Sequence, residues 1–241
     1  MNDVFVKEPI MTKEEYDYLV KSLRKKRVIL LLKRMFDILV SFIMILALSP
    51  VILILSILIM IDSGFPVFFR QERMGKNGKT FRIFKFRTMK NNTATADGIT
   101  LYNDKRITRI GEFLRKYRLD EIPQLFNIIK GEMSFVGPRP DLPKYYMVDD
   151  YGYKSVLLVR PGVTGEATLK FKDEDKILST SENPEKTYTE EIFPQKVRLN
   201  IDYIKRISIL YDMKIIINTV INVFFRKEKD EITRQVYKSN V

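Results

Sequence analysis

Asp120 and Glu121 stand side by side in Leu119-Asp120-Glu121-Ile122-Pro123, flanked by apolar residues. This acidic pair is the chain's best candidate for chemistry, because the sequence contains neither histidine nor cysteine. Zinc sites, disulfides, thiolate nucleophiles, imidazole acid–base work and every Ser-His-Asp arrangement are thereby excluded. Carboxylates, amines and hydroxyls remain. Two adjacent carboxylates repel unless something positive joins them, and Arg115 and Arg118 are near in sequence. A hard divalent cation taking oxygen ligands would complete the balance, and Mg²⁺ held by Asp120 and Glu121 is the natural choice beside a diphosphate. The plainer reading makes Asp120 only the N-cap of a helix and Glu121 a first-turn acid, with Pro123 where a missing N–H costs nothing. A helix N-terminus stabilises negative charge, so Asp120 is expected to be ionised.

Phosphate recognition needs converging cations. Lys85, Arg87, Arg115 and Arg139 lie in or beside turns and strands that could face one pocket. Singly each reads as a surface charge, and only convergence makes a site. The whole chain leans the same way: 42 Lys+Arg against 30 Asp+Glu give a net charge of +12. Its partner is then an anion: nucleic acid, an acidic membrane face or a phosphorylated small molecule.

The elements that must position these residues begin with a membrane segment. From Ile38 to Ile61 no residue is charged, and this run of 24 residues makes a helix of roughly 36 Å against about 30 Å of hydrocarbon. It is too long for a signal peptide and lies too far from the N-terminus. Ser49-Pro50 stands in its middle, and Pro50 cannot donate to the Leu46 carbonyl, so a bend or break is expected there. A kinked spanning helix and a helix-break-helix that re-enters one leaflet are both open on composition. Basic clusters flank both ends, from Lys21 to Arg34 and from Arg70 to Arg87. Cytoplasmic flanks are the ones enriched in Lys and Arg, which favours the re-entrant form with arms of about 12 residues.

The expected architecture is helix-rich α/β in three parts: an N-terminal amphipathic extension over 1–28, a re-entrant membrane helix over 29–64, and a catalytic domain over 65–241. In the extension, Thr12 and Glu15 have capping-box spacing ahead of Tyr16, Leu19, Val20 and Leu23. This helix is expected near the lipid headgroups, with a packing or partner helix as the alternative. Residues 66–90 alternate around Gly75-Lys76-Asn77-Gly78, the pattern of a hairpin, which would put Lys85 and Arg87 on one face. Asn91–Asp104 reads as a surface loop. A first helix is expected from Ile107, and a second from about Glu121 to Lys130, ended by Gly131. The charged stretch Lys170–Lys186 reads as a solvated loop or helix face. Helical spacing runs from Lys196 to Arg226, with Ile215–Phe225 as a core or interface helix too short to span. The tail after Lys227 is expected to fray.

Four segments together resemble the bacterial sugar transferases called small monotopic phosphoglycosyl transferases. They are Lys33-Arg34-Met35-Phe36-Asp37, Phe81-Arg82-Ile83-Phe84-Lys85-Phe86-Arg87-Thr88-Met89, Leu119-Asp120-Glu121-Ile122-Pro123-Gln124-Leu125-Phe126-Asn127 and Met133-Ser134-Phe135-Val136-Gly137-Pro138-Arg139-Pro140. The resemblance runs from about Lys33 to Thr219. It implies transfer of sugar-1-phosphate from a UDP-sugar to polyprenyl phosphate with release of UMP, a first membrane step of glycoconjugate or polysaccharide assembly. It also implies that Asp120 is the nucleophile, that Glu121 holds Mg²⁺, and that Pro138, Arg139 and Pro140 line the nucleotide and phosphate site. Lys85 and Arg115 match basic positions of the pocket. The membrane element is implied to be re-entrant, broken at Ser49-Pro50, with the domain on the cytoplasmic face of the bacterial inner membrane. A homodimer is compatible with this reading.

Two departures stand out. Where many relatives carry Asn-Gly-Arg after the Arg160-Pro161-Gly162 turn, this chain has Glu166-Ala167-Thr168-Leu169-Lys170-Phe171-Lys172-Asp173-Glu174, so that either Lys170 or Lys172 takes the arginine's phosphate contact or the chain belongs to a subgroup with another sugar preference. Asn200 stands where many relatives carry Asp. The competing function is a catalytically inactive, basic membrane-surface adaptor that binds nucleotide-sugar or lipid phosphate. The complete dyad and basic motifs argue against it. Nucleic acid is disfavoured, because the cations cluster beside an apolar run and no nucleic-acid module is matched.

Overall fold

The computed structural model describes residues 9–90 and 104–224. The loop expected over 91–104, except its last residue, and the expected frayed tail lie outside the described residues.

Helix α1 (Lys13–Lys25) starts at the capping box: Glu15 N donates to Thr12 Oγ1 at 3.3 Å and Thr12 N to Glu15 Oε2 at 2.9 Å. Its Leu19 and Leu23 are buried in the main core with Tyr153 and Val156 of α5 (Tyr151–Val156). This is the packing that the sequence offered as one reading of the segment.

Helix α2 (Arg27–Ser63) runs 37 residues, about 55 Å. The expected interruption at Ser49-Pro50 is absent, and the helix continues through Pro50. Pro50 has no N–H for the Leu46 carbonyl, and the Ser49 hydroxyl donates to that carbonyl instead, at 2.8 Å. One side of α2 docks on the rest of the protein. Met44, Ile45 and Leu48 pack against Leu125 and Ile128, whereas Ile52, Leu55 and Ile59 pack against Phe86 and Leu114. The other side leaves Leu39, Phe42, Leu46, Leu53, Ile54 and Ile61 exposed.

The expected hairpin forms from β1 (Phe68–Met74) and β2 (Thr80–Phe86), antiparallel with Phe68 opposite Phe86 and Met74 opposite Thr80. Asn77 at φ 58° and Gly78 at φ 73° turn the chain between them. Helix α3 (Arg109–Lys116) follows, then a 3₁₀ turn Leu119–Glu121 and α4 (Gln124–Lys130), closed by Gly131 at φ 87°. A parallel pair joins β3 (Ser134–Val136) to β4 (Gly162–Thr164). Gly162 is required there, since a Cβ would stand 2.1 Å from Gly137 N. The stretch expected to be a solvated loop or helix face forms short helices α6 (Glu166–Lys170), α7 (Glu174–Ser179) and α8 (Pro184–Thr187) with most of their charged residues exposed, followed by a π-helical turn Tyr188–Ile192.

The final helical run divides at Ile207-Ser208 into α9 (Phe193–Arg206) and α10 (Ile209–Phe224). Val197, Ile201 and Ile204 of α9 fill the main core. Helix α10 buries Ile215 but exposes Leu210, Ile217 and Val220, the profile of an interface helix.

Candidate active site

Arg118 takes a left-handed conformation, φ 57°, and the 3₁₀ turn behind it presents Asp120 and Glu121. Asp120 is therefore not the N-cap expected from the sequence: Pro123 precedes the first residue of α4, and Asp120 lies in the turn ahead of it. Both side chains are buried at 8% exposure.

The two carboxylates have opposite surroundings. Glu121 Oε1 accepts from Arg139 at 2.7 Å and from Lys85 Nζ at 3.1 Å, with Arg118 at 3.9 Å. Burial alone would raise the Glu121 pKa, but Arg139, Lys85 and Arg118 outweigh it and hold the carboxyl well below its ordinary range. Asp120 Oδ1 is buried with no hydrogen-bond partner. Burial and the neighbouring Glu121 charge raise its pKa, against the pull of Lys85, Arg118 and Arg115. The helix-terminus stabilisation expected from the sequence is thus overridden by desolvation. Glu121 is a fixed anion, and Asp120 is a destabilised carboxylate whose Oδ1 has no hydrogen-bond partner.

Each cation has its own support. Lys85 comes from β2 and reaches Glu121. Burial lowers its pKa, and Glu121 opposes that. Arg115, on α3, donates from Nε to Thr88 Oγ1 at 2.8 Å, which aims the group. Burial lowers its pKa, and Asp120 counters. Arg139 sits between Pro138 and Pro140, and the Pro138 carbonyl accepts from Gly162 N at 2.8 Å, so the parallel strand pair fixes the turn. Both prolines are buried outside the cleft lining, and Arg139 alone of the three enters it.

Lys85, Arg87, Arg115, Asp120, Glu121 and Arg139 all line one cleft of about 1270 Å³. Arg87 lies just past β2, and its guanidinium donates to Ser63 O at 2.7 Å, Ser63 Oγ at 2.9 Å and Gly64 O. It therefore ties the end of α2 to the hairpin, while Lys85 turns to the dyad. Ser49 and Pro50 lie on α2 outside the cleft lining, although Met44 and Leu48 reach it. Lys172 lines the cleft and Lys170 does not; Asn200 is buried outside it.

The Lys33-Arg34-Phe36-Asp37 region explains how the long helix is held. Arg34 donates to Ile128 O at 2.7 Å and Ile129 O at 3.0 Å, capping α4, and Asp37 Oδ1 accepts from Phe135 N at 3.2 Å. Lys33 pairs with Asp212 on α10.

Sequence reasoning does not select Arg73 and Thr88 as site residues. Arg73 lines the cleft, but nothing in the sequence separates it from the other cations after the apolar run. Thr88 matters only through Arg115, a contact across 27 residues.

Mg²⁺ fits the dyad in one mode. Among the described residues no group of three acidic side chains could cage a metal. Asp120 Oδ1 and the Glu121 carboxylate supply two hard oxygens, and Mg²⁺ commonly takes one or two carboxylates with substrate phosphates completing its shell.

Residues 28–226 match the sequence profile of the family described as Bacterial sugar transferase. The chain is 36% identical over 207 residues to the exopolysaccharide production protein PSS of Rhizobium leguminosarum bv. phaseoli, covering 82% of this chain and 97% of that protein. It is 36% identical over 203 residues to the UDP-glucose:undecaprenyl-phosphate glucose-1-phosphate transferase of Escherichia coli K12, covering 82% of this chain and 41% of that protein. It is 35% identical over 205 residues to the undecaprenyl-phosphate glucose phosphotransferase of Komagataeibacter xylinus, covering 81% and 36%. The chain thus spans about two fifths of the latter two and nearly all of the first.

Proposed function

The chain belongs to the bacterial sugar transferase family, and on that premise we propose that it transfers sugar-1-phosphate from a UDP-sugar to polyprenyl phosphate. The observation that carries the reading is a buried Asp120 oxygen without a partner, in a cleft where Lys85, Arg115 and Arg139 converge.

In the first half-reaction an Asp120 carboxylate oxygen attacks the β-phosphorus of the donor. The bond from that phosphorus to the bridging oxygen breaks, UMP departs with the oxygen, and a phosphosugar ester remains on Asp120. In the second, a phosphate oxygen of the polyprenyl acceptor attacks the same phosphorus and releases the Asp120 carboxylate. One difficult transfer becomes two easier ones at one site. Burial that disfavours the free carboxylate favours its conversion to an acyl phosphate, whose remaining negative charge lies on the phosphoryl oxygens beside Arg115 and Arg139. Arg115 and Arg139 neutralise charge spreading over the phosphoryl oxygens, and Lys85 with Arg139 keeps Glu121 ionised and fixed. Mg²⁺, held by Asp120 and Glu121 when bound, would screen the diphosphate charge.

The acceptor is a lipid, which gives α2 its role at the cytoplasmic face of the bacterial inner membrane. Arg34 and Asp37 near one end of α2, and Leu55, Ile59 and Ser63 near the other, contact the same folded body. A helix held at both ends by one domain has both ends on one side of a bilayer. This supports re-entry into one leaflet, which requires α2, continuous through Pro50 here, to bend in the membrane; Pro50, without an N–H for the Leu46 carbonyl, is where its hydrogen-bond ladder is weakest.

The protein with Mg²⁺, UDP-sugar and polyprenyl phosphate is expected to release UMP with ping-pong kinetics, and the donor alone is expected to leave a phosphosugar adduct on the Asp120 peptide by mass spectrometry. Turnover without the adduct overturns the covalent route. Cysteines placed at positions 25 and 76 are expected to be labelled only from the cytoplasmic side. Labelling from opposite sides overturns re-entry.

A further inference from the structure

We propose that the cleft wall formed by Arg73, Asp141, Thr168, Glu174, Tyr188 and Lys196 is the subsite for the sugar ring of the donor. The inference rests on the donor class proposed above.

All six residues line the cleft that holds Asp120 and Glu121. They stand next to the dyad's cations, since the carboxylates of Asp141 and Glu174 help to stabilise the Arg139 charge. Three of them form one rigid chain with Glu174. The Tyr188 hydroxyl donates to Asp141 Oδ1 at 2.8 Å, and Lys196 Nζ donates to the Tyr188 oxygen at 3.3 Å and pairs with Glu174 Oε2 at 2.5 Å. Tyr188 and Lys196 are buried, and the ammonium also lies over the Tyr188 ring, 4.8 Å from its centre. The phenol is therefore locked between a cation and an anion, with its proton directed at Asp141.

Charge distinguishes this wall from the dyad's end of the cleft. Around Asp120 and Glu121 the cations outnumber the carboxylates, as a phosphate requires. On the wall, Arg73 and Lys196 are matched by Asp141 and Glu174. A neutral array alternating donors and acceptors suits a neutral ligand rich in hydroxyls, and its rigidity lets it discriminate their orientation. Two buried atoms here, Arg73 Nε and Thr168 Oγ1, have no hydrogen-bond partner. Native proteins leave few such groups, and a ligand is one of the explanations for them. Position selects the sugar over the uridine, because the sugar is bonded to the phosphorus that Asp120 attacks, whereas the nucleoside lies one phosphate further away.

The test is equilibrium binding by calorimetry to full-length protein carrying Asp120→Asn, so that donors bind without turnover. UDP is compared with UDP-glucose, UDP-galactose, UDP-N-acetylglucosamine and UDP-N-acetylgalactosamine. At least one sugar is expected to make binding tighter than UDP alone. Added Tyr188→Phe and Thr168→Val are each expected to reduce that advantage about 3- to 10-fold and leave UDP affinity unchanged. Thr168→Val removes a hydroxyl that has no protein partner, so a purely structural role predicts unchanged melting temperature and unchanged binding. Equal weakening of UDP and UDP-sugars, no change in either variant, or no sugar-dependent affinity in the parent overturns the subsite. Failure of turnover with the sugar-dependent effect intact counts against the transfer reaction and leaves the subsite standing.

Discussion

Around Ile204 on α9, burial removes Val197, Ile201, Tyr203 and Phe193 from water, and each contact adds to stability. Around Asp120 and Glu121, comparable burial covers two carboxylates and the cations that meet them, and removing charges from water costs free energy. Glu121 recovers part of that cost through Arg139 and Lys85; the buried Asp120 oxygen recovers none through a hydrogen bond. The difference shows where each region's energy is directed. The α9 core holds the fold, and the dyad holds a carboxylate whose burial is not offset by a hydrogen bond to its Oδ1.

Substitutions can break that comparison, and the largest effect falls on the dyad. Asp120→Asn is expected to reduce UMP release by on the order of 10³-fold or more, because no other group in the cleft replaces a covalent nucleophile. Its thermal stability is expected to match or exceed the parent at neutral pH. The sign follows from the raised Asp120 pKa. The folded state holds that proton more tightly than the unfolded chain, so stability falls as pH rises from the ordinary carboxylate range through the raised value. The advantage of the asparagine should therefore vanish in scans below the ordinary carboxylate range. A lowered melting temperature at neutral pH would mean that Asp120 supports the fold. Glu121 runs oppositely: its depressed pKa supplies stability above the ordinary range that is lost as pH falls through the folded value, and Glu121→Gln should flatten that acid limb.

The next effect reverses the roles. Ile204→Ala is expected to cost roughly 2–5 kcal/mol in denaturant unfolding while the folded fraction keeps its kcat/KM. Loss of activity ahead of unfolding would show that the core also tunes the site. The smallest belongs to the long helix. Ser49→Ala removes the hydroxyl donor to the Leu46 carbonyl and is expected to cost about 1 kcal/mol in stability, read as a lower melting temperature in detergent. An unchanged melting temperature would show that the freed carbonyl finds another donor.

Much of the site was legible in the residues. The acidic pair, its basic companions and the Pro138-Arg139-Pro140 turn are local strings, and a string carries its residue types wherever it folds. The hairpin followed from alternation around Gly75–Gly78, and the Thr12–Glu15 cap from its spacing. Two other features differ from that reading for physical reasons. Asp120 was expected at a helix N-terminus, but the left-handed Arg118 inserts a 3₁₀ turn ahead of Pro123. A bend or break was expected at Pro50 from a missing donor, but the helix runs on through it, and the Ser49 hydroxyl donates to the Leu46 carbonyl.

The sequence by itself determined what chemistry the protein can attempt. Lacking thiol and imidazole, it is left with carboxylates, amines and hydroxyls, and an uncharged run of 24 residues is long enough to enter an apolar phase. Only the tertiary structure decided which carboxylate of the pair is neutralised and which keeps a buried oxygen without a hydrogen-bond partner. That choice depends on Lys85 and Arg139 arriving from 36 and 18 residues away, and local sequence patterns do not encode which distant side chains converge.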